Sequence, residues 1–366
     1  MYIYLSNKSI FHWRNLILIP LLSGIVVACS HCSSTTKKPL PARKDSTVNL
    51  PTPGTLSEAE KVQLNAACER WFDSLLGRTN FNGAVLVAKS GNIVFEKFRG
   101  NGRVGTNDPI TSNTQFHIAS VSKTITAMAI LKLWQEGKLN IDDELSKYFP
   151  SFNYPGVTIR TLLNHRSGLP NYVYFMEDLG WDKHVYIKNQ DVLDWLINHK
   201  AELKNIGAPG KHFTYCNTNY ALLALLAEKI TNTPFPVFIQ QEFFKPLGMT
   251  HSFIFTKEDS ARINPSYDWR GQLIPLNYLD LVYGDKNVFS TPEDLLLWDR
   301  ALRSNLFFSK ETLEQAYTPY SNEKKGIRNY GLGWRMNIYP NGKKLIYHNG
   351  WWHRSEEHTS ELQSPD

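Results

Sequence analysis

The sequence predicts an α/β domain in which an antiparallel sheet takes its strands from both ends of the globular part, with flanking helices and a helical domain inserted between them. Three observations carry this. A chain of 366 residues, 42% hydrophobic and 13% aromatic, has apolar surface enough for a substantial core and is neither disordered nor collagen-like. Strand-like patterns occur over 83–98 and again over 331–348. Helical stretches dominate about 139–291 between them. The four cysteines, Cys29 and Cys32 among them, form no disulfide framework.

The formal charge of +6 belongs to one end of the chain. Within the first 50 residues Lys8, Arg14, Lys37, Lys38, Arg43 and Lys44 meet only Asp45, so the remainder is near neutral and its charge does not point to nucleic acid. After Lys8 and Arg14, the run Leu16 to Ala28 is apolar, contains Pro20 and Gly24, and is too short for a membrane span of about 20 residues. Residues 1–28 therefore read as an export signal. Val26-Val27-Ala28-Cys29 resembles the bacterial lipobox, which makes Cys29 the expected lipidation site and first mature residue. Residues 29–55, rich in Ser, Thr, Pro and Lys, read as a disordered tether. The expectation is an exported body, anchored by lipid to a membrane and facing the periplasm or the cell exterior.

The body is expected over 56–353. Ser57-Glu58-Ala59-Glu60 is a capping-box pattern, followed at helical spacing by Leu64, Ala67, Cys68, Trp71, Phe72, Leu75 and Leu76. Gly83 to Ala88 and Ile93 to Phe98 flank Lys89-Ser90-Gly91-Asn92, a hairpin signal. Thr124 to Gln135 carries apolar residues on more than one face, the mark of a buried helix. Tyr220 to Ile230 and Pro292 to Leu302 read as helices, the second started by Thr291 and Pro292. Gly331 to Ile338 and Lys344 to His348 read as strands joined at Asn341-Gly342.

The last residues break the pattern. Arg354 to Ser364 (RSEEHTSELQS) matches a translated sequencing-library adapter, so 354–366 are expected to be foreign to the domain. On that reading His353, Glu357 and His358 carry no metal-site information, and the domain is C-terminally truncated in this chain. The strand ending at His348 is then expected to be an open edge beside two exposed tryptophans, Trp351 and Trp352, and the 366-residue chain to be insoluble or inactive.

The chemistry concentrates at Phe116-His117-Ile118-Ala119-Ser120-Val121-Ser122-Lys123. Ser120 and Lys123 lie one turn apart and share a face at the start of a buried helix, where a lysine is costly unless paired. A serine is a weak nucleophile without a neighbouring base, which a desolvated lysine can supply, and backbone N–H groups at a helix start favour developing negative charge. Ser-x-x-Lys alone is a weak pattern. Two further pieces accompany it: Tyr215-Cys216-Asn217 just ahead of a helix, and His348-Asn349-Gly350 at the end of a late strand.

With these three pieces in order, and with Thr161 to Pro170 and Tyr330 to Trp334 between them, the sequence from about 60 to 353 resembles the penicillin-recognising serine hydrolases: class C-type β-lactamases, D-alanyl-D-alanine carboxypeptidases and related esterases. The resemblance implies a β-lactamase-like fold with Ser120 as acylated nucleophile and Lys123 as the partner that shuttles its proton. It implies Tyr215 as general base toward Ser120 and later acid toward the leaving group. Asn217 is implied to hold the substrate's amide and to help position Lys123, and Gly350 to let substrate lie along the late strand. The implied oxyanion hole is the backbone N–H of Ser120 with that of Trp351. His348 stands where the lactamases carry lysine, replacing a fixed charge with a titratable one, which argues against efficient β-lactam hydrolysis. Cys216 between Tyr215 and Asn217 reads as packing, and His165 and Ser167 as loop structure.

Gly-x-Ser-x-Gly, the P-loop and His-Glu-x-x-His are absent from the sequence, and neither metal nor organic cofactor is implied. The expected activity is hydrolysis of D-amino-acid peptides or small esters of the cell envelope through an acyl-enzyme. β-Lactam hydrolysis ranks second, and a non-catalytic lipoprotein that binds cell-wall peptide third.

Overall fold

The computed structural model describes residues 47–353 apart from 205, 269 and 324. The export signal, the lipidation site at Cys29 and the adapter-like residues 354–366 lie outside the described residues. The tether assignment needs correction at its end. Val48 N–H donates to Pro246 O, Gly54 N–H to Ser90 O, and Arg300 Nη2 to Pro51 O, while Val48 and Leu50 pack on the core. Two apolar side chains with backbone bonds beside them are enough to pin residues 48–54 to the body.

Helix α1 (Glu58–Leu75) starts at a Ser57 N-cap with the expected reciprocal box to Glu60. Its Phe72 packs edge-on against Phe81, 5.5 Å between centroids, and against Phe95 at 6.0 Å. These rings lock α1 onto the hairpin β1 (Gly83–Lys89) and β2 (Asn92–Arg99), whose turn at Ser90 and Gly91 has φ of 52° and 80°. A two-residue strand β3 (Phe116–His117) and a 3-10 turn at Ala119–Val121 lead into α2 (Ser122–Gln135). Ser120 thus sits in the turn ahead of α2. That helix is buried on all sides, as its sequence requires.

The middle of the chain supplies α3 (Ile159–Leu163), α4 (Tyr172–Asp178), α5 (Asn189–Asn198) and α6 (Asn217–Thr231). After them come α7 (Phe235–Ile239), a π-turn over Gln240–Phe244 and α8 (Lys245–Leu247). From 253 onward the expected helical stretch gives way to short strands: β4 (Phe253–Ile254), β5 (Ser266–Tyr267), β6 (Leu273–Ile274) and β7 (Val288–Ser290). The stacked pair Phe253 and Phe289, 5.2 Å apart, stabilises the β4–β7 ladder. β7 also pairs with β3, Phe116 opposite Ser290, and so brings the return of the inserted segment beside the entry to α2.

Helices α9 (Pro292–Arg303) and α10 (Lys310–Ala316) precede the late sheet, order β10-β9-β8, of β8 (Arg328–Tyr330), β9 (Arg335–Ile338) and β10 (Lys344–Tyr347). Gly331 to Trp334, expected as strand, is a tight loop. Gly333 has φ of 88°, and a Cβ there would come 2.2 Å from that of Ala127 in α2. The strands from the two ends of the domain belong to two separate ladders, β1–β2 and β8–β10, among the described residues. Each is held by its own side-chain packing: β1–β2 by the rings of α1, β9 through buried Met336.

Candidate active site

The segment around Ser120 is shaped by close approach. Ala119 has φ of 45°, a left-handed conformation costly for a residue with a Cβ, and it turns the chain just before Ser120. Gly350 lies against this turn: a Cβ at 350 would come 2.4 Å from Ile118 O and 3.1 Å from Ser120 N. Only glycine lets the end of the late sheet touch the backbone at Ser120.

Lys123, fully buried, donates from Nζ to Ser120 Oγ at 3.0 Å and to the Asp285 carbonyl at 2.7 Å. Its ammonium stands 5.0 Å from the centre of the Tyr215 ring and 5.7 Å from that of Tyr220. On the other side Arg335 of β9 faces the Tyr215 ring at 5.1 Å. The Tyr215 hydroxyl and the Asn217 Oδ1 are buried without a hydrogen-bond partner, as is Arg335 Nε. Ser120, Tyr215, Asn217, Arg335, Gly350 and Trp351 line one cavity of about 860 Å³. Three of the orphaned buried polar atoms among the described residues thus belong to residues that line this cavity, and together with its size they make it the candidate ligand site. Asn217 makes no bond to Lys123; the carbonyl of Asp285 takes the positioning role expected of it.

His165 is a residue whose importance the sequence did not reveal. It lies beneath Tyr215, ring centres 4.3 Å apart, and its carbonyl accepts from Thr214 N–H at 2.9 Å while its Nδ1 accepts from Cys216 N–H at 3.1 Å. The two bonds straddle Tyr215 and fix its backbone. Burial, with Lys123 next, holds the His165 imidazole well below its usual range, so it is neutral and suited to accept. Ser167 continues the network by donating to Asn219 Oδ1 at 2.6 Å, while Cys216 packs inward with Sγ 3.4 Å from Leu169 O.

His348 also requires correction. It is 5% exposed, and burial, with Arg335 and Lys123 beside it, depresses its pKa far below that of a free histidine. A neutral ring satisfies both neighbours: Nδ1 donates to Asn349 O at 2.6 Å and Nε2 accepts from the Tyr330 hydroxyl at 3.1 Å. The titratable ring expected at 348 is thus held neutral, and the cation on this side of Tyr215 is Arg335. Trp351 is 60% exposed at the cavity rim, but Trp352 turns inward. Its Nε1 donates to Asp280 Oδ1, and His353 Nε2 reaches the same oxygen, both at 2.7 Å. His353, the last residue assigned to the body, is packed into it by this contact.

The sequence matches the family described as beta-lactamase over residues 68–356. A penicillin-binding protein of Bacillus subtilis (strain 168) is 33% identical over 298 residues, covering 77% of this chain and 65% of its own. Protein flp of Staphylococcus aureus (strain N315) is 30% identical over 287 residues, covering 73% and 54%. The chain thus spans less than two thirds of the length of these relatives. Among solved structures, the octameric penicillin-binding protein homologue of Pyrococcus abyssi superposes with a TM-score of 0.63 at 25% identity, covering 81% of this chain and 68% of that one. The penicillin-binding protein of Bacillus halodurans gives 0.62 at 28%, covering 72% and 81%.

Proposed function

The chain belongs to the β-lactamase family of penicillin-recognising serine hydrolases, and within it we propose an acyl-transferring hydrolase that cleaves D-amino-acid peptides or small esters of the cell envelope at Ser120. The observation that carries the reading is the 3.0 Å contact between Lys123 Nζ and Ser120 Oγ, in a cavity where the Tyr215 hydroxyl and the Asn217 amide oxygen lack protein partners.

In the proposed reaction Ser120 Oγ attacks the substrate's carbonyl carbon while its proton passes to the Lys123–Tyr215 pair. The backbone N–H groups of Ser120 and Trp351 receive the developing oxyanion. Tyr215 returns the proton to the leaving amine or alcohol as the carbon–heteroatom bond breaks. Water, deprotonated by the same pair, then attacks the acyl-serine, and the serine is regenerated with its proton. Asn217 Oδ1 accepts the substrate's amide N–H. Arg335, with its buried Nε unpaired, suits a carboxylate on the leaving side, which favours a residue with a free C-terminus. Neutral His348 contributes no second cation, which sets β-lactams below such peptides in the ranking.

Covalent labelling by a fluorescent penicillin tests the assignment. Wild type is expected to label and Ser120→Ala not to; undiminished labelling of the variant defeats it. Turnover separates the alternatives: sustained nitrocefin hydrolysis means a lactamase, a stalled stoichiometric burst means a peptidase-type acyl-enzyme, and binding without a burst means a sensor. We further propose, on sequence alone, that Cys29 anchors the exported body. Labelled palmitate incorporation that disappears in Cys29→Ser is the expected result, and an unlabelled wild type refutes it.

A further inference from the structure

We propose that Asp285 and Lys286, closed off by Tyr172, are positioning residues that fix the carbonyl on which Lys123 rests and tie that placement to the segment after Gly350. The proposal builds on the acyl-enzyme reading at Ser120. Lys123 is held by the backbone carbonyl of Asp285, at 2.7 Å, and not by its carboxylate. The carboxylate is committed elsewhere. It accepts from the Tyr172 hydroxyl at 3.0 Å and from Lys286 Nζ at 3.4 Å, and Lys286 also bonds the Tyr172 hydroxyl. Lys286 and Asp285 are only 2% and 1% exposed.

The cluster ties together three segments that carry cavity-lining residues: α4, the start of α6 and the chain after Gly350. Tyr172 N–H donates to Thr218 Oγ1 at 2.7 Å, which joins α4 to the first turn of α6 next to Asn217. The Lys286 ammonium stands 4.6 Å from the Trp352 ring, and Trp352 with His353 is bonded to Asp280 of the same loop. The loop over 280–286 therefore holds the lysine of the nucleophile at one end and the chain following Gly350 at the other.

The fold alone does not call for such a pair. Burying two charges costs several kcal/mol per ion, and apolar replacements of buried pairs are often neutral or stabilising. What the charges add is electrostatic. With Lys286 present, the Asp285 carboxylate is compensated by a second buried cation, which also repels Lys123. Without it, Lys123 becomes the buried cation left to compensate that carboxylate, and its charged form is favoured when acylation needs it to release a proton. The other titratable groups facing Lys123 are Tyr215, Tyr220, His165, His348 and Cys216, with Arg335 across the Tyr215 ring, and none of them changes when position 285 or 286 does.

The test follows labelling of Ser120 by a fluorescent penicillin in the full chain from about pH 5 to 9, alongside thermal melts. Lys286→Met is expected to slow labelling by ~10–100-fold and to move the acid limb upward by about one pH unit. Lys286→Arg should recover part of the rate and the limb. Asp285→Asn combined with Lys286→Met leaves no unpaired buried charge; it should fold and bring the limb back, yet label more slowly than wild type. A folded double variant with the wild-type rate, or a Lys286→Met limb that does not move, overturns the proposal. Failure of every variant to fold makes the pair a fold element and overturns it too. Heteronuclear NMR of the Lys123 Nζ keeps the two ideas apart, because the ammonium should persist to higher pH in Lys286→Met even if no acylation occurs.

Discussion

At the residue scale the site is a set of side chains whose chemistry was partly legible and whose support was not. Ser120, Tyr215, Asn217 and Gly350 line one cavity, Lys123 is bonded to Ser120 behind it and the His348 ring lies 6.4 Å from that of Tyr215, and each was visible because it sits in a short motif. Arg335 was hidden. A single arginine in an alternating strand reads as a solvent-facing residue, and only the fold shows it turned onto Tyr215. His165 was hidden for the complementary reason: a histidine in a loop becomes a brace only once Thr214 and Cys216 are placed around it. These placements make two predictions. Arg335→Gln should raise KM about tenfold or more for peptides ending in a free carboxylate, with little change for neutral esters. Steady-state kinetics on a matched peptide and ester pair checks this, and an equal loss on both would assign Arg335 to the common machinery. Gly350→Ala should stop acylation while the chain stays folded, because its Cβ would lie 2.4 Å from Ile118 O, a contact that only a shift of the Ser120 turn can relieve. Labelling and a melt on the same sample decide it.

At the element scale, legibility followed length. α1 and α9 were visible through their caps, α2 and α6 through long apolar runs that only a buried helix accommodates. The two-residue strands β3 to β6 were not, since two residues carry no period; long-range pairing with β7 creates β3 and β4, while β5 and β6 pair as a short local hairpin. The separation of β1–β2 from β8–β10 likewise depends on tertiary packing and had no local signature. Caps can be tested one at a time. Thr291 accepts from Asp294 N–H at 3.2 Å at the start of α9 and is buried, so Thr291→Ala should cost about 1 kcal/mol, and Thr291→Ser much less. Urea midpoints at constant slope measure the difference; equal midpoints for Ala and wild type would show that the Pro292 start suffices.

At the scale of the whole molecule, the fold stores three neutral histidines away from water, and this sets its response to acid. His117 beside β7, His165 under Tyr215 and His348 at the end of β10 are all held low by burial first, His117 to about 4 and the other two well below the ordinary 6.5. In the unfolded chain each takes a proton near pH 6.5, whereas the folded chain refuses it. Their contribution to stability is therefore complete above that pH and is lost as pH falls below it. The carboxylates act in a lower window. Glu323, for which burial is outweighed by bonds from Phe213 N–H and Arg166, sits at about 2 and gives up its contribution only between 4.5 and that value. Asp294, raised by burial, works in the opposite sense near its own ordinary range of 3.8. Between pH 7.5 and 5 the histidines thus dominate, at on the order of 2 kcal/mol each by pH 5. The urea midpoint of wild type should fall over this interval, and His348→Gln, which cannot take the proton, should lose less of its own stability across it. A wild-type midpoint unchanged from pH 7.5 to 5, or an equal fall in His348→Gln, would mean that these rings are solvated and that the neutral hydrogen bond from Tyr330 to His348 does not hold.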